Sequence, residues 1–214
     1  MPETGILSHG ISLNSVELLT SGLCCTITDA LSMWDVATGN LLRELAVQTD
    51  CVLGVTAVAW SPDSAFVAVT PGDVKVNSLC AVNVWVAATG VATHMIGGQE
   101  FLVSSVAWNH DGSMLAAGAA LLTDQVSDTA TGYVKHSVEG GSMAGAVAWS
   151  TDGCLLAIAT KEGSVKIWKM AWRRFTRVIH VSGGGELHSV AWGPCGRFVF
   201  VAALSGTVHI YNVS

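Results

Sequence analysis

Along this chain, short runs that are continuously apolar or apolar at every second position alternate with clusters of Gly, Pro, Asp, Asn and Ser. Runs of that length between turn signals predict β-strands. In residues 55–60, VTAVAW, both alternating faces are small or apolar, the pattern of a strand covered on two sides. A turn follows, and the same turn grammar recurs as SPDS at Ser61, NHDG at Asn109, STDG at Ser150 and GPCG at Gly193. Pro at the second place, Asp at the third and Gly at the fourth suit a tight hairpin loop, Gly because it accepts positive φ. A second strand comes next, as FVAVT from Phe66, MLAAG from Met114, LLAIAT from Leu155 and FVFVAAL from Phe198. The third reads LSMWDV from Leu31, AVNVWV from Ala81, SVKIWK from Ser164 and TVHIYNV from Thr207. A Thr-Gly turn then leads to a fourth strand, such as VATHMI from Val91. Four antiparallel strands joined by short turns make one sheet of a repeating architecture.

The repeat is visible in two independent marks. Val-Ala-Trp occurs four times, ending at Trp60, Trp108, Trp149 and Trp192, with spacings of 48, 41 and 43. An aromatic closing a β-branched run falls at Trp34, Trp85, Trp168 and Tyr211. The long gap between Trp85 and Trp168 divides evenly if Ser127 holds the missing place. The residues after it, Asp128-Thr129-Ala130-Thr131-Gly132, match Asp35-Val36-Ala37-Thr38-Gly39 in register. A shared period of about 41 to 43 is the length of a four-stranded propeller blade.

VAWSPDS, VAWNHDGSMLAAG, VAWSTDGCLLAIATKEGSVKIW and LSMWDVATG resemble the inner hairpin, third strand and strand-ending Trp-Asp of the WD-repeat (Trp-Asp repeat) family, over nearly the whole chain. The resemblance implies an all-β fold: a β-propeller of four-stranded antiparallel blades, about five of them, the first short or incomplete. The units run approximately 5–40, 41–90, 91–132, 133–172 and 173–214, within one domain spanning 1–214. Two arrangements fit: a near-closed five-blade ring in which Gly5 to Ser8 supply the last blade's outer strand, or an arc of a seven-bladed propeller. The family's Gly-His and its buried hydrogen-bonded tetrad are missing, since the positions nine residues before each inner-strand Trp hold Cys51, Gln99, Gly140 and Gly183. Loss of a buried network whose partners go together leaves nothing unpaired, so packing is expected to hold the blades.

Composition narrows the classes of function. Half of the 214 residues are apolar and 23 are Gly, which describes a turn-rich globular protein with a sizeable core. A net charge of −6 with ten basic residues offers no chain-wide basic surface for direct nucleic-acid binding. The longest charge-free apolar stretches, such as residues 112–123, fall short of the roughly 18 residues of a spanning helix, and no membrane association is expected. The opening MPETGILSHG lacks the basic and apolar regions of a secretory signal. Six cysteines (Cys24, Cys25, Cys51, Cys80, Cys154, Cys195) include no C-x-x-C pair and are expected to be buried or free thiols in a reducing cytoplasm or nucleus.

Candidate chemistry is sparse. The histidines at 9, 94, 110, 136, 180, 188 and 209 fall in different units without metal-ligand spacing, so no metal is expected. Ser182-Gly183-Gly184-Gly185-Glu186 lacks both the Lys-Ser/Thr and the helix of a phosphate cradle. Asp63, Asp111 and Asp152 occupy equivalent turns, where backbone hydrogen bonding is their expected role. No catalytic constellation and no cofactor site emerge.

Two charged groups remain. In a propeller the fourth-to-first and second-to-third loops share a face, which would carry Asp29, Asp50, Asp73, Glu100, Asp124, Glu139, Glu162 and Glu186 against Lys75 and Lys161. Around one third-to-fourth connection stands a basic set, Lys166, Lys169, Trp172, Arg173, Arg174 and Arg177. The expected function is a non-enzymatic scaffold or adaptor, a subunit of a larger complex whose acidic face binds partner proteins or basic peptide segments. The alternative is a propeller binding small ligands or carbohydrate, which would need equivalent polar residues between blades.

Overall fold

The structure, a computed structural model, describes residues 6–11, 17–22, 30–35, 37–46, 55–71, 80–99, 102–119, 123–139, 141–183 and 185–213. The chain divides into two compact units, Met1–Val103 and Ser104–Ser214. In the first unit, β1 (Ile6–Ile11), β2 (Glu17–Gly22), β3 (Ala30–Asp35) and β4 (Leu41–Ala46) form the first sheet. The second sheet consists of β5 (Val55–Trp60), β6 (Phe66–Pro71), β7 (Cys80–Val86) and β8 (Val91–Gln99).

The second unit follows from β9 (Val103–Trp108), which begins at the boundary residue. With β10 (Met114–Ala119), β11 (Thr123–Asp128) and β12 (Val134–Glu139) it makes the third sheet. The fourth sheet is β13 (Ala144–Trp149), β14 (Leu155–Thr160), β15 (Ser164–Lys169) and β16 (Arg174–His180), with a 3-10 turn at Met170–Trp172 before the last strand. Three strands, β17 (Leu187–Trp192), β18 (Phe198–Ala203) and β19 (Val208–Asn212), form the fifth. The five sheets are antiparallel and are built in strand order, as β-propeller blades are.

Register confirms the second sequence mark. Trp34, Trp85, Ser127, Trp168 and Tyr211 each stand opposite the second residue of their sheet's second strand: Leu18, Val67, Leu115, Leu156 and Val199. Ser127 therefore holds the place of the lost aromatic. One expectation is corrected. The strand starting at Ile6 pairs with β2 as the inner strand of the first sheet, and so it is not the outer strand of the last.

The inner hairpin turns are the same in four sheets. The backbone N–H of Ser61, Asn109, Ser150 and Gly193 donates to the carbonyl of Phe66, Met114, Leu155 and Phe198 respectively. Neighbouring turns of the second unit also touch. A Cβ on Gly153 would lie 2.8 Å from Nδ1 of His110, so the φ of +67° and the space together require glycine there.

Within the second unit the sheets stack face to face on apolar side chains. Ala157, Ala159, Val165 and Ile167 of the fourth sheet meet Leu187, Val190, Val199 and Val201 of the fifth. Ala116 and Val126 of the third sheet join Val147, Trp149, Leu156 and Ile158 of the fourth. Two polar devices fix the spacing. The Trp149 indole N–H donates to the Ala107 carbonyl, and that of Trp192 donates to the Ala148 carbonyl, each over 3.0 Å. The Trp of one Val-Ala-Trp thus bonds the Ala of the preceding one. At the second place of the inner strand, the Ser104 hydroxyl donates to the Ala144 carbonyl (2.8 Å). One sheet later that place is Gly145, where a Cβ would stand 2.0 Å from the Leu187 carbonyl oxygen. Only glycine allows the fourth and fifth sheets to approach so closely.

Candidate functional site

Of the eight acids expected on one face, Asp29, Asp50, Asp73 and Glu100 lie outside the described residues, as does Lys75. Glu139, Glu162 and Glu186 are exposed, and the local structure gathers them on one rim of the second unit. Glu139 ends β12, Glu162 sits in the β14–β15 turn and Glu186 immediately precedes β17. A carboxylate oxygen of Glu162 accepts the Met143 backbone N–H (3.1 Å) from the connection that Glu139 begins. On its other side, the Glu162 turn abuts the connection holding Glu186: a Cβ on Gly163 would meet the Gly185 carbonyl at 2.8 Å. Glu186 faces His188 at 3.7 Å, and Lys161 shares the Glu162 turn.

Asp124 does not belong to this rim. It lies inside β11, is 3% exposed, and accepts the Ala119 backbone N–H over 3.0 Å. Burial pushes its carboxyl up to about 7, against the opposing effects of that hydrogen bond and of Lys166. The reason is register. Counting back three from the strand-ending marks Trp85, Ser127 and Trp168 gives Val82, Asp124 and Val165, all three sealed from solvent. The signal was in the repeat, but the charge of Asp124 weighed it toward a solvent-facing loop.

The basic set divides as well. Lys166 lies on β15, where its ammonium donates to the Ser142 hydroxyl (2.6 Å). Arg177, on β16, donates to the Asn212 carbonyl of the fifth sheet (2.9 Å). The remaining four residues cluster at the β15–β16 connection. Trp172 is 56% exposed, with the Lys169 ammonium 4.0 Å and the Arg174 guanidinium carbon 5.1 Å from its ring centre. Arg173, also exposed, adopts φ 50°, ψ 43°, a left-handed conformation costing an L-residue about 1 kcal/mol. Its charge, after burial, is one cause that lowers the pKa of His136 on β12.

The turn aspartates do what their spacing predicts. Asp63, Asp111 and Asp152 accept the backbone N–H of Ala65, Ser113 and Cys154. Hydrogen bonds from Ser61, Ser113 and Ser150 respectively are the leading reason their carboxyls are held below the usual range. Among the described residues, the buried indole N–H groups of Trp60, Trp85 and Trp168 have no acceptor. Cys154 and Cys195 are free and exposed rather than buried. Among the described residues no group of three or more His, Cys, Asp or Glu is placed to hold a metal ion. No helix there is long and apolar enough to cross a membrane.

Sequence reasoning missed three features. The Trp-to-Ala latch and Gly145 depend on distances between sheets. The strained Arg173 had a readable cue, because the Thr-Gly turn that follows Trp85 is replaced by Met-Ala-Trp-Arg after Lys169.

Comparison with known proteins gives two family matches. Residues 147–214 match the anaphase-promoting complex subunit 4 WD40 domain, and residues 90–124 match the WD domain, G-beta repeat. The chain is also 28% identical over 163 residues to the WD repeat-containing protein SL1-17 of Schistosoma mansoni, covering 75% of this chain and 51% of that one. The chain therefore spans about half the length of that relative.

Proposed function

Starting from a chain that belongs to the WD-repeat family, we propose that it is a non-enzymatic adaptor whose second unit binds basic peptide segments through its glutamate rim. Proteins of this family generally act as interaction scaffolds. The observation that carries the finer reading is the convergence of Glu139, Glu162 and Glu186 on adjoining turns, in a chain of net charge −6. Three exposed carboxylates on a rigid rim attract a cationic segment and fix its position through complementary charge. Rigidity comes from the stacked sheets beneath, whose apolar contacts hold the strands that these turns join. The matched model over residues 147–214 is named for a domain of a complex subunit. That supports a place in a larger assembly, and the reading locates it in the cytoplasm or nucleus.

The test is the affinity of a labelled Lys- and Arg-rich peptide for the full chain at low and moderate salt. Binding is expected to weaken as salt rises, because exposed charges are screened. The triple change Glu139→Gln, Glu162→Gln and Glu186→Gln is expected to reduce it about tenfold, roughly 0.5 kcal/mol per exposed pair. Affinity indifferent to both salt and the triple change would overturn the reading.

A further inference from the structure

The fourth sheet departs from the chain's own rule at one connection. In the first three sheets the turn between the third and fourth strands ends in glycine with positive φ, Gly39 at 69°, Gly90 at 68° and Gly132 at 73°. In the fourth, the corresponding turn is Met170–Trp172 followed by Arg173, which takes the left-handed conformation with φ 50°. A glycine would occupy it without strain. Ser64, in an inner hairpin turn, is the other described non-glycine residue with positive φ, but Arg173 stands beside an exposed tryptophan, and strain of this kind concentrates at functional positions.

The local chemistry is specific. Lys169 and Arg174 both lie against the Trp172 ring, so two cations that would otherwise sample many rotamers are held by cation–π contact. Among the described residues, none of Lys169, Arg173 and Arg174 is ion-paired with a carboxylate. The site thus presents two preorganised cations on one large exposed aromatic with a third, Arg173, beside it, on a rigid connector rather than a long loop. Guanidinium groups take carboxylates in a two-pronged hydrogen-bonded geometry, and a Trp flanked by Arg is the usual composition of a binding hot spot.

We propose that Lys169, Trp172, Arg173 and Arg174 form a docking site for a short acidic peptide segment of a partner protein, separate from the glutamate rim. The size of the site selects this occupant. Binding a nucleic-acid backbone typically engages about six to ten phosphates, and recognition of an anionic membrane uses clusters of about four to eight cations. Three cations on a chain carrying only ten basic residues match two or three carboxylates. The site also gives the adaptor two surfaces of opposite charge, which fit two different partners.

The experiment measures fluorescence anisotropy of a short labelled Glu- and Asp-rich peptide with the full chain. The comparison probes are oligothymidylate and phosphatidylserine vesicles. The double change Lys169→Gln with Arg174→Gln, and separately Trp172→Ala, are each expected to weaken peptide binding about tenfold. Arg173→Gly is the safeguard against misfolding, because it relieves the left-handed strain while removing the charge. It is expected to weaken binding about threefold with a melting temperature equal to or above that of the parent. Neutralising Glu139, Glu162 and Glu186 should leave this binding no weaker, so failure here and failure of the rim are distinguishable. Peptide binding unchanged by all three variants would overturn the proposal. So would stronger binding of the oligonucleotide or the vesicles that is lost in the same variants.

Discussion

Ile167 and Ile210 are the same residue at the same place, facing Ala157 in the fourth sheet and Phe200 in the fifth, yet one is 3% exposed and the other 59%. Their neighbours follow suit: Val165 and Ala157 are sealed, whereas Val208 and Phe200 are exposed. Both sheets present an inner hairpin and a third strand of similar length, six residues in the fourth and five in the fifth. The difference lies in what each face receives, because the fourth sheet's face takes Val190, Val199 and Val201 of the fifth. A sheet of this repeat is thus stabilised mainly by the neighbour it supports, as expected for repeat architectures, where interface terms add to modest intrinsic stability.

Breaking the covered interface should produce the largest effect. Gly145→Ala sets a Cβ 2.0 Å from the Leu187 carbonyl oxygen, and neither backbone can yield without separating the two sheets. A loss of about 3 kcal/mol or more is expected in denaturant unfolding, the upper end of overpacking costs. Ser104, at the equivalent place one sheet earlier, already carries a side chain, so Ser104→Ala should cost only the net value of one hydrogen bond, about 1 kcal/mol. Trp192→Phe keeps most of the ring but leaves the Ala148 carbonyl without its indole donor. It should cost about 1–2 kcal/mol. If the loss is near zero, the latch is not what aligns the sheets.

A pH dependence sharpens the contrast between buried and exposed acids. Asp124 keeps its proton in the folded chain up to a pH of about 7, whereas an unfolded aspartate releases it near 3.9. Between those values the folded state binds more protons, so this group's contribution to stability falls as pH rises and levels off above 7. Asp124→Asn, neutral throughout, should raise the melting temperature at pH 8 and change it little at pH 4. An equal shift at both would show that the carboxyl stays ionised in the folded protein.

The strands and turns were legible because their signals are local: alternation, Asp and Gly in the turn, and an aromatic at a fixed period. Even Ser127 was placed correctly by the residues following it. Asp124 was misplaced because a charged residue weighs toward solvent unless register is followed back to Val82 and Val165. Gly145 offered no cue, since VAW-type strands tolerate Thr56, Ser104 or glycine at that place and only the Leu187 carbonyl distinguishes them. Of the charged surfaces, the groups were legible and their subdivision was not. Whether Lys166 and Arg177 join Lys169, Arg173 and Arg174 depends on which acceptors, Ser142 and Asn212, lie within reach.

The claim that each sheet owes its stability to the face it receives is tested most directly by one matched pair. Ile167→Ala and Ile210→Ala delete the same atoms from equivalent positions, and urea unfolding of the full chain reads both. A loss of about 3 kcal/mol is expected for Ile167→Ala and less than about 0.5 kcal/mol for Ile210→Ala. Equal losses would contradict the account, because the two sheets would then be stabilised alike whether or not a face is covered.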